Sequence, residues 1–272
     1  MITDVHTHST FSADGRSSLS QMLSRAHALN VAYYGVSEHF DYDYPADNVL
    51  AEGEEVPLVD AEAYFSAARE LQRSYEGKMR VLVGCEFGFT PTQKALDMYL
   101  ETVQRYQPDF IVNSVHTVDG ADPWFAEYFD GKTRDKAYGR YLEKVLASLD
   151  APYPYDVVGH IGYVGRNAPY PDPALRYEEF PRLIDDVLRT VIKKDKILEV
   201  NSSARKAGDF LPGEDILARY FALGGRKVSF ASDAHGVEQI CAGRERVVAA
   251  LKSIGFSHIS VPDGKKIVEI AL

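Results

Sequence analysis

The feature that most constrains this chain is an alternation. Seven short runs rich in β-branched and aromatic residues are each followed by an amphipathic stretch or a long loop. The runs lie at 2–5, 31–37, 80–86, 109–115, 155–159, 196–201 and 227–232. Between them, residues 18–29, 60–76, 92–105, 134–148, 177–193 and 214–223 carry apolar side chains at helical spacing, and a short helix near 244–254 precedes an edge segment at 257–261. Leu19, Met22, Leu23, Ala26 and Leu29 form one face of the first helix, with Ser17 or Ser18 placed to cap it. Pro91 suits the start of the third helix and Gly224-Gly225 the end of the sixth. Repeated βα units predict an α/β protein built on a parallel sheet, either open or closed into a barrel. No linker-like or repeated segment interrupts the 272 residues, so one domain over 1–272 is expected. The stretches 40–59 and 117–132 are long and rich in Asp, Glu, Pro and Gly, and they read as loops that either cover a site or are plain surface insertions.

Chemistry-bearing residues sit at special places in this pattern. His6 and His8 follow the first run, His39 the second, His116 the fourth, His160 the fifth and His235 the seventh; Glu86 ends the third run and Asp233 stands beside His235. In a parallel βα barrel, the C-terminal ends of the strands share one face, so residues far apart in sequence converge there. In extended chain, residues i and i+2 point the same way, so His6 and His8 form one pair and Asp233 and His235 another. Neutral imidazoles suit zinc, manganese or iron, and a carboxylate can bridge two ions. Six histidines and two acids at equivalent strand ends therefore predict a metal site. His27 and His258 lie outside the pattern.

The formal net charge of −10 argues against a polymeric nucleic-acid partner, which would call for clustered Lys and Arg. Two cysteines, Cys85 and Cys241, give no disulfide framework and fit a reducing cytoplasm. The start MITDVHTHSTFS lacks a signal-peptide pattern, and no apolar run reaches the roughly 20 residues that would span a bilayer. Cys85 precedes Glu86, so alternation points it away from the metals, as a small core residue.

The segments DVHTHSTFSADG, SEHF, GCEFG, NSVHTVDG, GHIGYVGR, EVNSSARK and SDAH, running in order from residue 4 to residue 235, resemble the PHP (polymerase and histidinol phosphatase) superfamily. The resemblance implies a distorted seven-stranded βα barrel, TIM-barrel-like, with two or three divalent ions (Zn, Mn or Fe). One ion would be held by His6, His8, Glu86 and Asp233, and a second by Glu86 as a bridge with His116 and His160. A third would take Asp14, His39 and His235; Asp14 stands where some relatives carry histidine. The overall length and the GHIGYVGR and EVNSSARK segments look like the stand-alone histidinol-phosphate phosphatases of histidine biosynthesis, which implies a small phosphorylated metabolite as substrate.

The chemistry expected is in-line attack by a metal-bridging hydroxide on a phosphate monoester, without a phosphoenzyme. Asp233 would orient or deprotonate the nucleophile, and Asp14, His39 or His235 would serve the leaving alkoxide. Arg166 and Arg205 are the expected phosphate contacts, because a guanidinium fork matches phosphate oxygens in pairs. Ser203 and Lys206 are further candidates. Glu38, Asn113 and Asn201 are expected to orient ligands, and Asp119 to meet a substrate amine. The competing readings are a nucleotide phosphoesterase or nuclease of the same superfamily, C–N hydrolysis of the amidohydrolase kind, and a non-catalytic metal-binding module.

Overall fold

The computed structural model describes residues 1–44, 58–203 and 210–272. Seven strands form one sheet in sequential order: β1 (Ile2–Asp4), β2 (Val31–Phe40), β3 (Arg80–Gly88), β4 (Ile111–Ser114), β5 (Val157–Val158), β6 (Ile197–Asn201) and β7 (Val228–Ala231). Every pairing from β1 to β7 is parallel. Closure comes just past the strand ends, where Asp233 N donates to His6 O at 2.9 Å and His8 N to Ala234 O at 2.8 Å. The carboxylate of Asp4 ties the same seam, accepting from Ser232 N at 3.0 Å, Ser232 Oγ at 2.6 Å and Cys241 N at 2.9 Å. The sheet is thus a distorted seven-stranded barrel whose β1–β7 junction is stitched partly by side chains.

Among the described residues, seven helices form the outer layer: α1 (Leu19–Ala28), α2 (Ala61–Ser74), α3 (Gln93–Tyr106), α4 (Arg134–Ser148), α5 (Pro181–Lys193), α6 (Glu214–Ala222) and α7 (Arg244–Ile254). Their starts follow local chemistry. Ser18 caps α1 in a capping box with Gln21, while Asp60 and Thr92 cap α2 and α3. The helix expected over 177–193 begins only at Pro181, after a separate turn at Tyr177–Glu179, because proline suits the first helical position and not the interior.

The C-terminus departs from expectation. In place of one edge segment at 257–261 there is an antiparallel hairpin, β8 (His258–Asp263) and β9 (Lys266–Ala271), in a sheet of its own. Val261 and Ile270 of this hairpin join Val5, Leu82, Phe110, Val112, Val157 and Ile197 in one buried cluster. Those partners line the barrel interior near the strand starts, and Arg80 at the head of β3 reaches Asp263 at 2.6 Å. The hairpin therefore stoppers the N-terminal end of the barrel. Phe110 crosses the interior, and Gly35 and Gly84 make room for it: a Cβ on either would come within 2.8 Å or less of its ring. The sites described next occupy the opposite end.

Candidate metal centre

Strand ends deliver the donors as the alternation requires. His6 and His8 bring their Nε2 atoms to 3.0 Å of each other, while Thr7 between them points away and donates to Gly35 O. Glu86 Oε2 lies 3.3 Å from His6 Nε2 and 3.6 Å from His8 Nε2. Asp233 Oδ1 lies 3.8 Å and 3.3 Å from the same two nitrogens. His6, His8 and Glu86 thus bring three donor atoms within 3.6 Å of one another, the crowding expected of ligands that share one ion, with Asp233 Oδ1 on the flank of the two imidazoles. Asp233 adopts a left-handed backbone with φ of 52°, which aspartate tolerates better than most residues.

The other oxygen of Glu86 faces a second set. Glu86 Oε1 lies 2.8 Å from His160 Nε2 and 3.2 Å from His116 Nε2, and those nitrogens are 3.4 Å apart. Ser114 Oγ holds this oxygen in place at 2.6 Å. A third set gathers at the cleft mouth, where His235 Nε2 lies 3.0 Å from Asp14 Oδ2 and 3.4 Å from His39 Nε2, with Asp14 Oδ1 3.8 Å from the latter. His39 Nδ1 turns inward to Glu86 Oε2 at 2.8 Å. All nine expected ligand residues thus converge.

Hydrogen bonds behind the rings fix which nitrogen faces the cavity. His6 Nδ1 donates to Glu199 Oε2 at 2.7 Å, His116 Nδ1 to Asp41 Oδ1 at 2.8 Å, His235 Nδ1 to Asp233 O at 2.9 Å, and His8 Nδ1 meets Ser12 Oγ at 3.3 Å. Each proton placed on Nδ1 leaves an Nε2 lone pair for a cation. Two such lone pairs at 3.0 Å, as on His6 and His8, repel unless a positive charge lies between them. Glu86 Oε2 is buried, and neither it nor the nearby His39 Nδ1 has a partner aligned for a hydrogen bond. Burial would raise the Glu86 carboxyl, and the imidazoles of His6, His116 and His39 instead hold it well below the usual carboxylate range. Buried carboxylates without cations cost several kcal/mol each. The donor set therefore fits divalent metals such as zinc.

Arg166, six residues past His160, follows a short turn and is nearly buried. Its Nη2 donates to Asp233 Oδ2 at 2.6 Å and to Ser203 Oγ, and lies 3.3 Å from Asn201 Oδ1. Ser203 Oγ also lies 2.9 Å from Asp233 Oδ2. Arg166, Ser203, Asp233, Asp14 and His39 all line one cleft of about 460 Å³ over the metal centre. Arg205 and Lys206 lie outside the described residues.

Among the orienting residues, Asn201 donates to Glu199 Oε1 and to Asp233 Oδ2, at 2.9 and 3.2 Å. Glu38 acts one step further back: it accepts from Ser9 and from Ser12, whose hydroxyl also meets His8. Asn113 does not face the site. Its amide reaches Ser148 O and its carbonyl takes the Tyr153 hydroxyl, in the layer between sheet and helices. Asp119 does not face it either; it is half-exposed and paired with Arg140 at 2.7 Å. Cys85 is buried among the helix-facing side chains. Sequence reasoning missed Glu199 and Asp41. Both could have been found by the i,i+2 rule, since Glu199 precedes Asn201 by two on β6 and Asp41 follows His39 by two.

A parallel barrel whose C-terminal mouth gathers two sets of imidazoles around one shared carboxylate belongs to the metal-dependent hydrolase class. The family model described as PHP domain matches residues 4–203, and the chain belongs to that family. Among curated relatives it is similar to a probable histidinol-phosphatase of Thermotoga maritima, 29% identical with 99% of each chain covered. It is also similar to the histidinol-phosphatase of Lactococcus lactis subsp. lactis, 26% identical over 97% of this chain and 95% of the relative. Among solved structures, a histidinol phosphate phosphatase from the same Lactococcus, complexed with zinc, L-histidinol and phosphate, superposes with a TM-score of 0.87 at 24% identity, covering 98% of both chains.

Proposed function

We propose that this chain is a metal-dependent phosphatase that hydrolyses L-histidinol phosphate to L-histidinol and phosphate, acting as one domain in the cytoplasm with two or three divalent ions (Zn, Mn or Fe). The observation that carries the reading is Glu86, whose two oxygens face separate sets of imidazole nitrogens at 2.8 to 3.6 Å, next to a cleft lined by His116, His160 and Arg166. The relatives' common description as histidinol-phosphatases supports the substrate.

His6, His8, Glu86 and Asp233 would hold one ion, Glu86, His116 and His160 a second, and Asp14, His39 and His235 a third. When bound, such ions polarise phosphoryl oxygens and lower the pKa of water to near 7. The chain's own residues do the rest. Arg166 is pinned by Asp233 and Ser203, so its guanidinium is positioned before substrate arrives, and it would share charge with the phosphoryl oxygens. Asp233, held by Arg166 and Asn201 through Oδ2, keeps Oδ1 directed at the first cage and is placed to orient the attacking water. Asp14 is half-exposed at the cleft mouth; burial would raise its carboxyl, but His235 and His39 hold it below the usual range, so it would serve the departing alkoxide as a charged group that orients a proton-donating water.

The test is metal content per chain together with phosphate release from L-histidinol phosphate, 5′-nucleotides and short DNA. Two or three ions per chain with preference for L-histidinol phosphate are expected. Faster cleavage of nucleotides or DNA would replace this substrate, and metal retention without any phosphate release would favour a binding module.

A further inference from the structure

On the wall of the same cleft lies a carboxylate for which the metal chemistry gives no use. Asp122 is buried, 4% exposed, yet lines the cavity. Its oxygens accept from neutral donors: Oδ2 from the Tyr44 hydroxyl, and Oδ1 from Trp124 N at 2.7 Å and the Tyr163 hydroxyl at 3.0 Å. Among the described residues, no Lys, Arg or His forms an ion pair with it, and the nearest imidazole, His116, has its Nδ1 engaged by Asp41. A buried carboxylate is ordinarily paired with a cation. The surrounding walls are aromatic: Tyr163 stacks against Trp124 with ring centroids 6.5 Å apart and planes 22° from parallel. The same Tyr163 ring stands 5.4 Å from His116 and 5.3 Å from His160. One tyrosine thus separates the metal centre from an aromatic-walled anion, and such walls also attract cations.

We infer that Asp122, framed by Tyr44, Trp124 and Tyr163, receives a protonated amine on the alcohol side of the phosphate monoester and so sets the enzyme's preference for amino-alcohol phosphates. The inference rests on the phosphatase reading above and assigns its specificity. The metal cages and Arg166 would hold the phosphate, which every monoester shares. Asp122 would read the part that differs, with the substrate's own ammonium as its cation partner. Its three fixed donors keep the carboxylate oriented before binding, so little is lost in ordering it.

The experiment compares kcat/KM for L-histidinol phosphate with that for its N-acetyl derivative, which keeps the phosphate and imidazole but loses the charge. In the metal-loaded native enzyme, the ratio should favour the free amine by roughly 10- to 100-fold. In Asp122→Asn it should collapse toward one; because the readout is a ratio, a general loss of activity cancels. Tyr44→Phe removes a donor but keeps the charge, and should retain most of the preference. A native ratio near one, an unchanged ratio in Asp122→Asn, or an equal collapse in Tyr44→Phe would overturn the inference while leaving the phosphatase reading intact. No phosphate release from these esters or from 4-nitrophenyl phosphate would overturn both.

Discussion

The two ends of the barrel are built from the same strands with opposite chemistry. At the N-terminal end, Leu82, Val112, Val157 and Ile197 point inward and meet Val261 and Ile270 of the β8–β9 hairpin, with Phe110 across the middle. At the C-terminal end, the inward positions are His6, His8, Glu86, Glu199 and Asn201, with His116 and His160 just beyond the strands. On β3 the change falls within one strand, from Leu82 through Gly84 to Glu86. The apolar end gains stability from burial and needs no ligand. The polar end buries several carboxylates against one described guanidinium and a ring of imidazoles, a set suited to cations from outside. One end stabilises the barrel, and the other uses that stability to hold mutually repelling groups together.

If that division holds, substitutions at the two ends should separate cleanly. The largest effect expected is for Glu86→Gln, which removes the shared charge. Phosphate release should fall by about 10³-fold or more, or about 4 kcal/mol of barrier, with fewer ions retained per chain. Phe110→Ala should do the reverse. It should cost about 3–5 kcal/mol in urea denaturation and leave metal stoichiometry and kcat near native below the melting temperature. Loss of metal by Phe110→Ala would break the comparison.

Titration sharpens it further. Burial alone would lower the His39 pKa, but Glu86, with Asp14 and Asp41 behind it, raises it to about 9 in the metal-free protein. A raised histidine contributes stability that is present below its unfolded value near 6.5 and is lost as pH climbs through 9. The metal-free protein should therefore weaken over that window. Metal affinity should strengthen by up to tenfold per pH unit over the same window, because each ion displaces protons. Denaturation and chelator competition, run in parallel, read the two opposite slopes. Next in size, Asp41→Asn should weaken metal retention by about 10- to 100-fold by freeing the His116 ring, without lowering the urea midpoint of the metal-free protein comparably. The smallest effect expected is for Asp119→Asn, whose exposed pairing with Arg140 is worth at most about 0.5 kcal/mol and lies away from the cleft; kinetics should be unchanged.

What could be read in the chain was whatever depends on period and position. The βα alternation specified seven parallel strands, and the placement of His6, His8, His39, Glu86, His116, His160, Asp233 and His235 at strand ends specified where chemistry would gather. Asn113 shows the limit of that logic. It sits on a ligand-bearing strand, yet alternation sends it outward to Tyr153 and Ser148. Asp119 and Asp122 show another. Both are loop acids of one short segment, and only the folded loop pairs the first with Arg140 and buries the second beneath Tyr44 and Tyr163. The terminal hairpin was equally hidden, since a strand pattern says nothing about which opening it will cover. Local periodicity fixes the direction of a side chain along its own element. Which oxygens of Glu86 meet which imidazoles, and what closes each end of the barrel, depend on contacts between distant segments, and those exist only after the sheet has closed.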